Sequence, residues 1–193
     1  TGTGWPGGWP GWPCPRRREG ERVDPVSGKI ISLQVDTILL PDGRKATREI
    51  VKHPGAVAVI ALHEDKLIVV EQYRKPLERS LIEIPAGKID PGEDPELTAK
   101  RELEEETGYR CQQVKKLHSF YTSPGFANEI LHLYVAEGLE KGTAAPDQDE
   151  FLQCREITFE EALQCVQDGR IADAKTIAAV YAWKLYRLTG RWE

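Results

Sequence analysis

The chain has 193 residues, enough for one domain with a sizeable core and an arm besides. Acidic residues outnumber basic ones, 31 to 26, for a net charge of −5, which argues against bulk attraction to nucleic acid or to an anionic membrane. No apolar run approaches the roughly 20 residues that cross a bilayer, and the cysteines Cys14, Cys111, Cys154 and Cys165 form neither a CxxC pair nor finger spacing, so they read as reduced thiols of a cytoplasmic protein.

Thr1 opens a chain without methionine, so its natural start is expected upstream. Residues 1–22 repeat Gly-Trp-Pro and are too rich in Gly and Pro for a helix or a central strand. A disordered or artefactual tail is expected there, with a Trp-rich partner-binding arm as the alternative. Residues 23–51 form a strand region: Lys29–Leu40 and Arg44–Val51 flank the turn signal Pro41-Asp42-Gly43. Ile30, Leu33 and Val35 alternate against Ile31, Leu39 and Leu40, so a lone hairpin would leave an apolar face uncovered. The main domain spans 52–193. Strands are expected at Ala56–Leu62, Lys66–Glu71, Leu81–Ile84, Gln113–Tyr121 and Ile130–Ala136. Asp94 suits an N-cap, Pro95 the first helical position and Gly108 the stop of a helix between them. Phe159–Asp168 and Ile171–Leu188 read as helices. In the second, Ile171, Ala174, Ile177, Ala178, Tyr181, Leu185 and Leu188 mark the apolar face. The mixture lacks regular βα alternation, which predicts an α+β class with a layered mixed sheet.

Gly87–Tyr109, GKIDPGEDPELTAKRELEEETGY, carries the chemistry. On a helix Glu102, Glu105 and Glu106 share an arc of about 100°. Such like charges repel by ~0.2–0.5 kcal/mol per pair, and a divalent cation would turn repulsion into binding. Carboxylate oxygens suit Mg²⁺ or Mn²⁺ rather than zinc. On spacing alone, a solvated acidic face fits as well.

The whole stretch resembles the signature box of the Nudix hydrolase superfamily: Gly, five residues, Glu, seven residues, Arg-Glu-apolar-any-Glu-Glu-any-Gly-apolar. Gly87, Glu93, Arg101, Glu102, Leu103, Glu105, Glu106, Gly108 and Tyr109 match every specified position. The resemblance implies a Nudix fold, with a mixed β-sheet sandwiched between helices and an N-terminal β-hairpin region. It also implies Mg²⁺-assisted hydrolysis of a nucleoside diphosphate linked to another group. Glu102, Glu105 and Glu106 would be metal ligands, together with the Ala86 carbonyl. Arg101 and Glu93 would brace loop and helix, and Gly87 and Gly92 would serve backbone conformations that other residues resist.

Glu71-Gln72-Tyr73-Arg74, Leu81–Gly87, Ser123-Pro124-Gly125-Phe126 and Arg48-Glu49-Ile50-Val51 resemble the ADP-ribose pyrophosphatase branch. That resemblance implies AMP and ribose 5-phosphate as products, and Arg48, Glu49, Arg74, Glu83, Ser123, Pro124, Gly125 and Phe126 as substrate-binding residues. Arg74 would pair with phosphate through its planar fork, against a surface ion pair as the plain alternative. The acidic loop Asp147-Gln148-Asp149-Glu150 would supply a base and metal ligand, Glu150 aligning best, whereas the amide of Gln148 cannot act as a base. Glu105 and Glu106 complete the catalytic set. A homodimer exchanging its N-terminal strands is implied, with Arg48 and Glu49 serving the partner's site. The rivals are hydrolysis of NADH, a nucleotide sugar or an oxidised nucleotide, and a non-catalytic nucleotide-sensing module, which would usually lose box carboxylates.

Overall fold

A computed structural model describes residues 22–143 and 152–192. The described residues divide into two compact units, 22–53 with Gly125–Asn128, and Pro54–Pro124 with 129–143 and 152–192.

In the first unit β1 (Arg22–Ser27), β2 (Ser32–Leu39) and β3 (Lys45–Lys52) form an antiparallel sheet in that order. The sequence predicts only two strands. Pro25 conceals the third, since a residue without an N–H is tolerated at a sheet edge, and β1 is an edge strand. The predicted turn is present: Gly43 sits at φ 87°, and Asp42 Oδ1 accepts from Arg44 N at 3.0 Å. Residues 125–128 join this unit through hydrogen bonds from Val51 N to Phe126 O, 2.7 Å, and from Asn128 N to Val51 O, 3.1 Å.

The second unit contains β4 (Ala56–Ile60), β5 (Leu62–His63), β6 (Lys66–Arg74), β7 (Arg79–Glu83), β8 (Ala86–Lys88), α1 (Pro95–Thr107), β9 (Tyr109–Tyr121), β10 (Ile130–Lys141), β11 (Leu152–Ile157), α2 (Phe159–Gln167) and α3 (Ala174–Thr189). One sheet has the order β8-β4-β10-β9; in the other, β6 pairs with β11, β5 and β7. The first sheet is mixed, because β4 runs parallel to β10 and β8 antiparallel to β4.

All five residues of β4 are buried, and their alternation feeds two cores. Ala56, Ala58 and Ile60 pack with α2 and α3 residues such as Ala162, Cys165, Val180 and Trp183. Val57 and Val59 pack with Ala99 and Leu103 of α1. A strand buried on both faces reads as a continuous apolar run, as Ala56-Val57-Ala58-Val59-Ile60 does. The expected mixed sheet between helices is therefore present.

The structure corrects the reading of α3. The helix starts at Ala174, after an Asp173 cap that accepts from Thr176 N at 3.0 Å. Its buried residues are Thr176, Ala179, Val180, Ala182 and Trp183, whereas Tyr181, Leu185 and Leu188 are 49%, 48% and 75% exposed. Trp183 explains the rotation. It is fully buried, packs edge-on to Phe159 at 5.1 Å, and offers more apolar area than any leucine of the predicted stripe. Thr176 Oγ1 accepting from Ile84 N at 3.0 Å fixes the same face.

Candidate active site

The strand–loop–helix from β8 through α1 is held by local signals. Asp94 Oδ1 accepts from Glu96 N at 2.8 Å, Pro95 occupies the first turn, and Gly108 ends the helix at φ 76°. Arg101 then joins loop and helix. Its Nε and Nη2 donate to Glu93 at 3.1 and 3.0 Å, and its Nη1 lies 2.8 Å from Glu105 and 2.9 Å from Glu102. The bond to Glu93 raises the Arg101 pKa, and the same bond holds Glu93 below the usual carboxylate range.

Glu102 and Glu106, one turn apart, lie against the backbone of β8. Glu106 is 5% exposed, and its Oε2 accepts from Ala86 N at 3.0 Å. A Cβ built on Gly87 would sit 1.9 Å from the Glu102 carboxyl carbon. This corrects one expectation for the glycines. Gly92 has φ 82° and serves conformation, whereas Gly87 is outside the left-handed region and serves space. The carboxylate oxygens of Glu102 and Glu106 are hard donors of the kind that a Mg²⁺-like cation takes. Among the described residues no three acidic, His or Cys side chains form a metal cluster. A complete ligand set thus needs backbone oxygen or a residue outside them. Asp147, Gln148, Asp149 and Glu150 lie outside the described residues.

Beside this face Arg74, at the end of β6, forks onto Glu83 of β7, with Nε to Oε1 at 2.6 Å and Nη2 to Oε2 at 2.7 Å. Glu83 is 2% exposed. Burial pushes its pKa up, but the bonds from Arg74 and the nearby Lys175 charge outweigh burial and leave it lowered. Arg74 is raised, first by its bond to Glu83, and it also feels the charge of Glu106. Arg74 thus makes an ion pair, but with a buried carboxylate and not at the surface, while its own side chain stays 39% exposed. Lys175 Nζ also donates to Glu83 Oε2, and reaches Asp173 Oδ1 at 2.9 Å. With Pro76, Leu77 and Leu81 these residues line a cavity of about 320 Å³.

Sequence reasoning missed Lys175 and Asp173. The available signal was a lysine in the first turn of a helix, where the macrodipole disfavours a cation. It also missed a cluster on the α1 side. Tyr109, 3% exposed, donates to Glu156 Oε1 at 2.5 Å, and His63 Nδ1 lies 3.3 Å from the same oxygen. Burial, then the Glu156 bond, pushes the Tyr109 phenol up to about 12.

Ser123 and Pro124 belong to the second unit, and Gly125 and Phe126 to the first. Phe126 and Tyr73 are exposed by 58% and 54%, so neither is a core residue. Arg48 and Glu49 are exposed on β3, paired in register with Asp36 and Val35. Cys111, Cys154 and Cys165 are free thiols. No described helix is long and apolar enough to cross a membrane.

The NUDIX domain model matches residues 52–180. Among curated proteins, a methanol dehydrogenase activator of Bacillus methanolicus is 60% identical over 80% of this chain and 85% of its own length. An ADP-ribose pyrophosphatase of Bacillus subtilis is 54% identical over the same shares. An ADP-ribose pyrophosphatase of Mycobacterium tuberculosis is 39% identical over 81% of this chain and 77% of its own. The solved structure of an ADP compounds hydrolase superposes with a TM-score of 0.77 at 20% identity, covering 89% of this chain and 94% of that one. That likeness speaks for the fold.

Proposed function

This chain belongs to the NUDIX domain family, and on that premise we propose that it is a pyrophosphatase hydrolysing ADP-ribose to AMP and ribose 5-phosphate. The observation that carries the reading is the placement of Glu102 and Glu106 against the Ala86–Gly87 backbone, beside the Arg74–Glu83 fork. Relatives named ADP-ribose pyrophosphatase at 54% and 39% identity supply the substrate.

Glu102, Glu105, Glu106 and the Ala86 carbonyl would hold Mg²⁺, with Mn²⁺ as the substitute, and Arg101 holds both Glu102 and Glu105. The cation supplies charge stabilisation on the diphosphate and a more acidic water. Arg74 contributes a guanidinium whose Nε and Nη2 are fixed by Glu83. Its Nη1 donates to no protein partner among the described residues and is left to a phosphate oxygen. Glu150 is the proposed base. Arg48, Glu49, Ser123, Pro124, Gly125 and Phe126 complete the proposed substrate contacts. We place the enzyme in the cytoplasm as a homodimer.

The test is a substrate panel of ADP-ribose, ADP-glucose, GDP-mannose, NADH and 8-oxo-dGTP, with products identified by mass. ADP-ribose should have the highest kcat/KM, a tenfold lead requiring only ~1.4 kcal/mol of differential transition-state binding. A higher value for another member overturns the substrate assignment. The 60% identity to a methanol dehydrogenase activator favours a second reading, stimulation of such a dehydrogenase. Adding the pure chain to a methanol dehydrogenase assay tests it, and an unchanged rate would reject it.

A further inference from the structure

We propose that Lys175 is a positioning residue for diphosphate binding: it takes one side of the buried Glu83 carboxylate and so fixes Arg74 with its free edge turned to substrate. The inference rests on the pyrophosphatase reading above and adds a residue from α3 to the site.

Glu83 is almost sealed from water, its side chain 3% exposed. A carboxylate so placed must be paired and hydrogen-bonded to stay charged. Arg74 satisfies one edge of both oxygens through Nε and Nη2. Lys175, 12% exposed along its side chain, donates to Oε2 from the other side. Glu83 therefore carries two cations.

Asp173 balances the second cation, since it pairs with Lys175 and acts on Arg74 as well. Its Oδ1 caps the α3 N-terminus by accepting from Thr176 N, so its charge is also offset by the positive end of the helix. With Lys175 present the four groups balance, and without it two carboxylates would face the single cation Arg74, the member most open to solvent. Arg74 lies within electrostatic reach of Glu106, so that charge borders the metal face.

Removing Lys175 would leave Arg74 as the lone counter-ion of a buried carboxylate. The guanidinium would be drawn further onto Glu83, and its charge would be spent within the protein. Binding of a diphosphate should weaken, while Glu102 and Glu106 on α1 keep their cation affinity. A mainly structural lysine would instead lower stability and leave affinity for substrate in the remaining folded enzyme alone.

The experiment compares wild type with Lys175→Met, Lys175→Arg, Arg74→Ala and the Arg74→Ala/Lys175→Met double variant. The substrate is the member of the panel with the highest kcat/KM. Lys175→Met should raise KM about tenfold, change kcat less than about threefold, and leave the Mg²⁺ activation midpoint in place. Lys175→Arg should recover KM to within about threefold of wild type. In the Arg74→Ala background Lys175→Met should add less than about twofold, because the two residues act as one unit. If Lys175→Met melts below the assay temperature, Lys175→Gln replaces it with the same expected rise. A wild-type KM in the charge-removing variant overturns the proposal. So does a full tenfold loss on top of Arg74→Ala, or a Lys175→Arg variant no better than Met. A wild-type chain that hydrolyses none of the panel overturns the functional reading, and this inference with it. Hydrolysis by wild type with Lys175→Met unchanged overturns this inference alone.

Discussion

Glu106 combines two properties that a solvated surface acid lacks: it is 5% exposed, and it accepts from the Ala86 backbone. Glu106→Gln keeps the volume and an acceptor, so the fold should survive. It removes a ligand charge, and losing about 3 kcal/mol of charge stabilisation corresponds to roughly a hundredfold fall in kcat. The Mg²⁺ titration should shift to higher concentration as well; wild-type turnover at limiting Mg²⁺ would reject the ligand role. Tyr109 poses a different residue-scale question, since its bond to Glu156 serves stability. Tyr109→Phe should cost about 1–2 kcal/mol at pH 7, a hydrogen bond to a charged group. The bond to Tyr109, then the one to His63, holds the Glu156 pKa below its ordinary 4.5. A lowered folded pKa stabilises above the unfolded value and is lost as pH falls through the folded one. The gap between wild type and variant should therefore shrink at pH 3. For the phenol the sign reverses. Its raised pKa contributes below about 10 and is lost as pH rises toward about 12. Denaturation curves at pH 7 and pH 3 check the acid limb, and an undiminished gap at pH 3 would deny the Tyr109–Glu156 bond its role.

At the scale of elements, the join between β8 and α1 depends on an absent side chain. Gly87→Ala would put a methyl 1.9 Å from the Glu102 carboxyl carbon. The obstruction is the end of a flexible side chain, so Glu102 can swing aside at little cost in stability, about 1 kcal/mol or less. The swing displaces a ligand oxygen. The variant should melt near wild type but need about tenfold more Mg²⁺ for half-maximal rate, within the range that displaced support around a metal costs. A normal metal titration would return Gly87 to a conformational role. This helix was legible in the sequence because its signals are local: the Asp94 cap, Pro95 and the Gly108 stop need no distant partner. The Glu93–Arg101 brace was legible for the same reason, being eight residues apart within one motif. α3 was not. The C-terminal part of the predicted stripe, Tyr181, Leu185 and Leu188, is exposed, because burying Trp183 against Phe159 decides the rotation and Phe159 is 24 positions away in sequence. Lys175 was hidden likewise, since its partner Glu83 is 92 positions distant.

At the scale of the whole molecule, β2 and β3 of the first unit contribute little core. In β2 and β3 only Gln34 is buried, while Ile30 and Ile31 are 50% and 47% exposed. A small sheet needs an apolar face packed on another layer for independent stability. We predict that this sheet packs on a second copy in a two-fold exchange, and that Arg48 serves the partner's site. Activity should then depend on association. Neither Arg48→Ala nor Glu106→Gln protein alone should turn over well. After reversible dissociation and remixing, mixed dimers would contain one site with its own Glu106 and the partner's intact Arg48. With random mixing about half the dimers are mixed and half of their sites are complete, so recovery should approach roughly a quarter of wild-type activity. Light scattering should report a dimer at the assay concentration. No recovery, from subunits shown to exchange, would assign Arg48 to its own subunit. A fully active monomer would remove the shared site altogether and leave the exposed face of the first unit without this role.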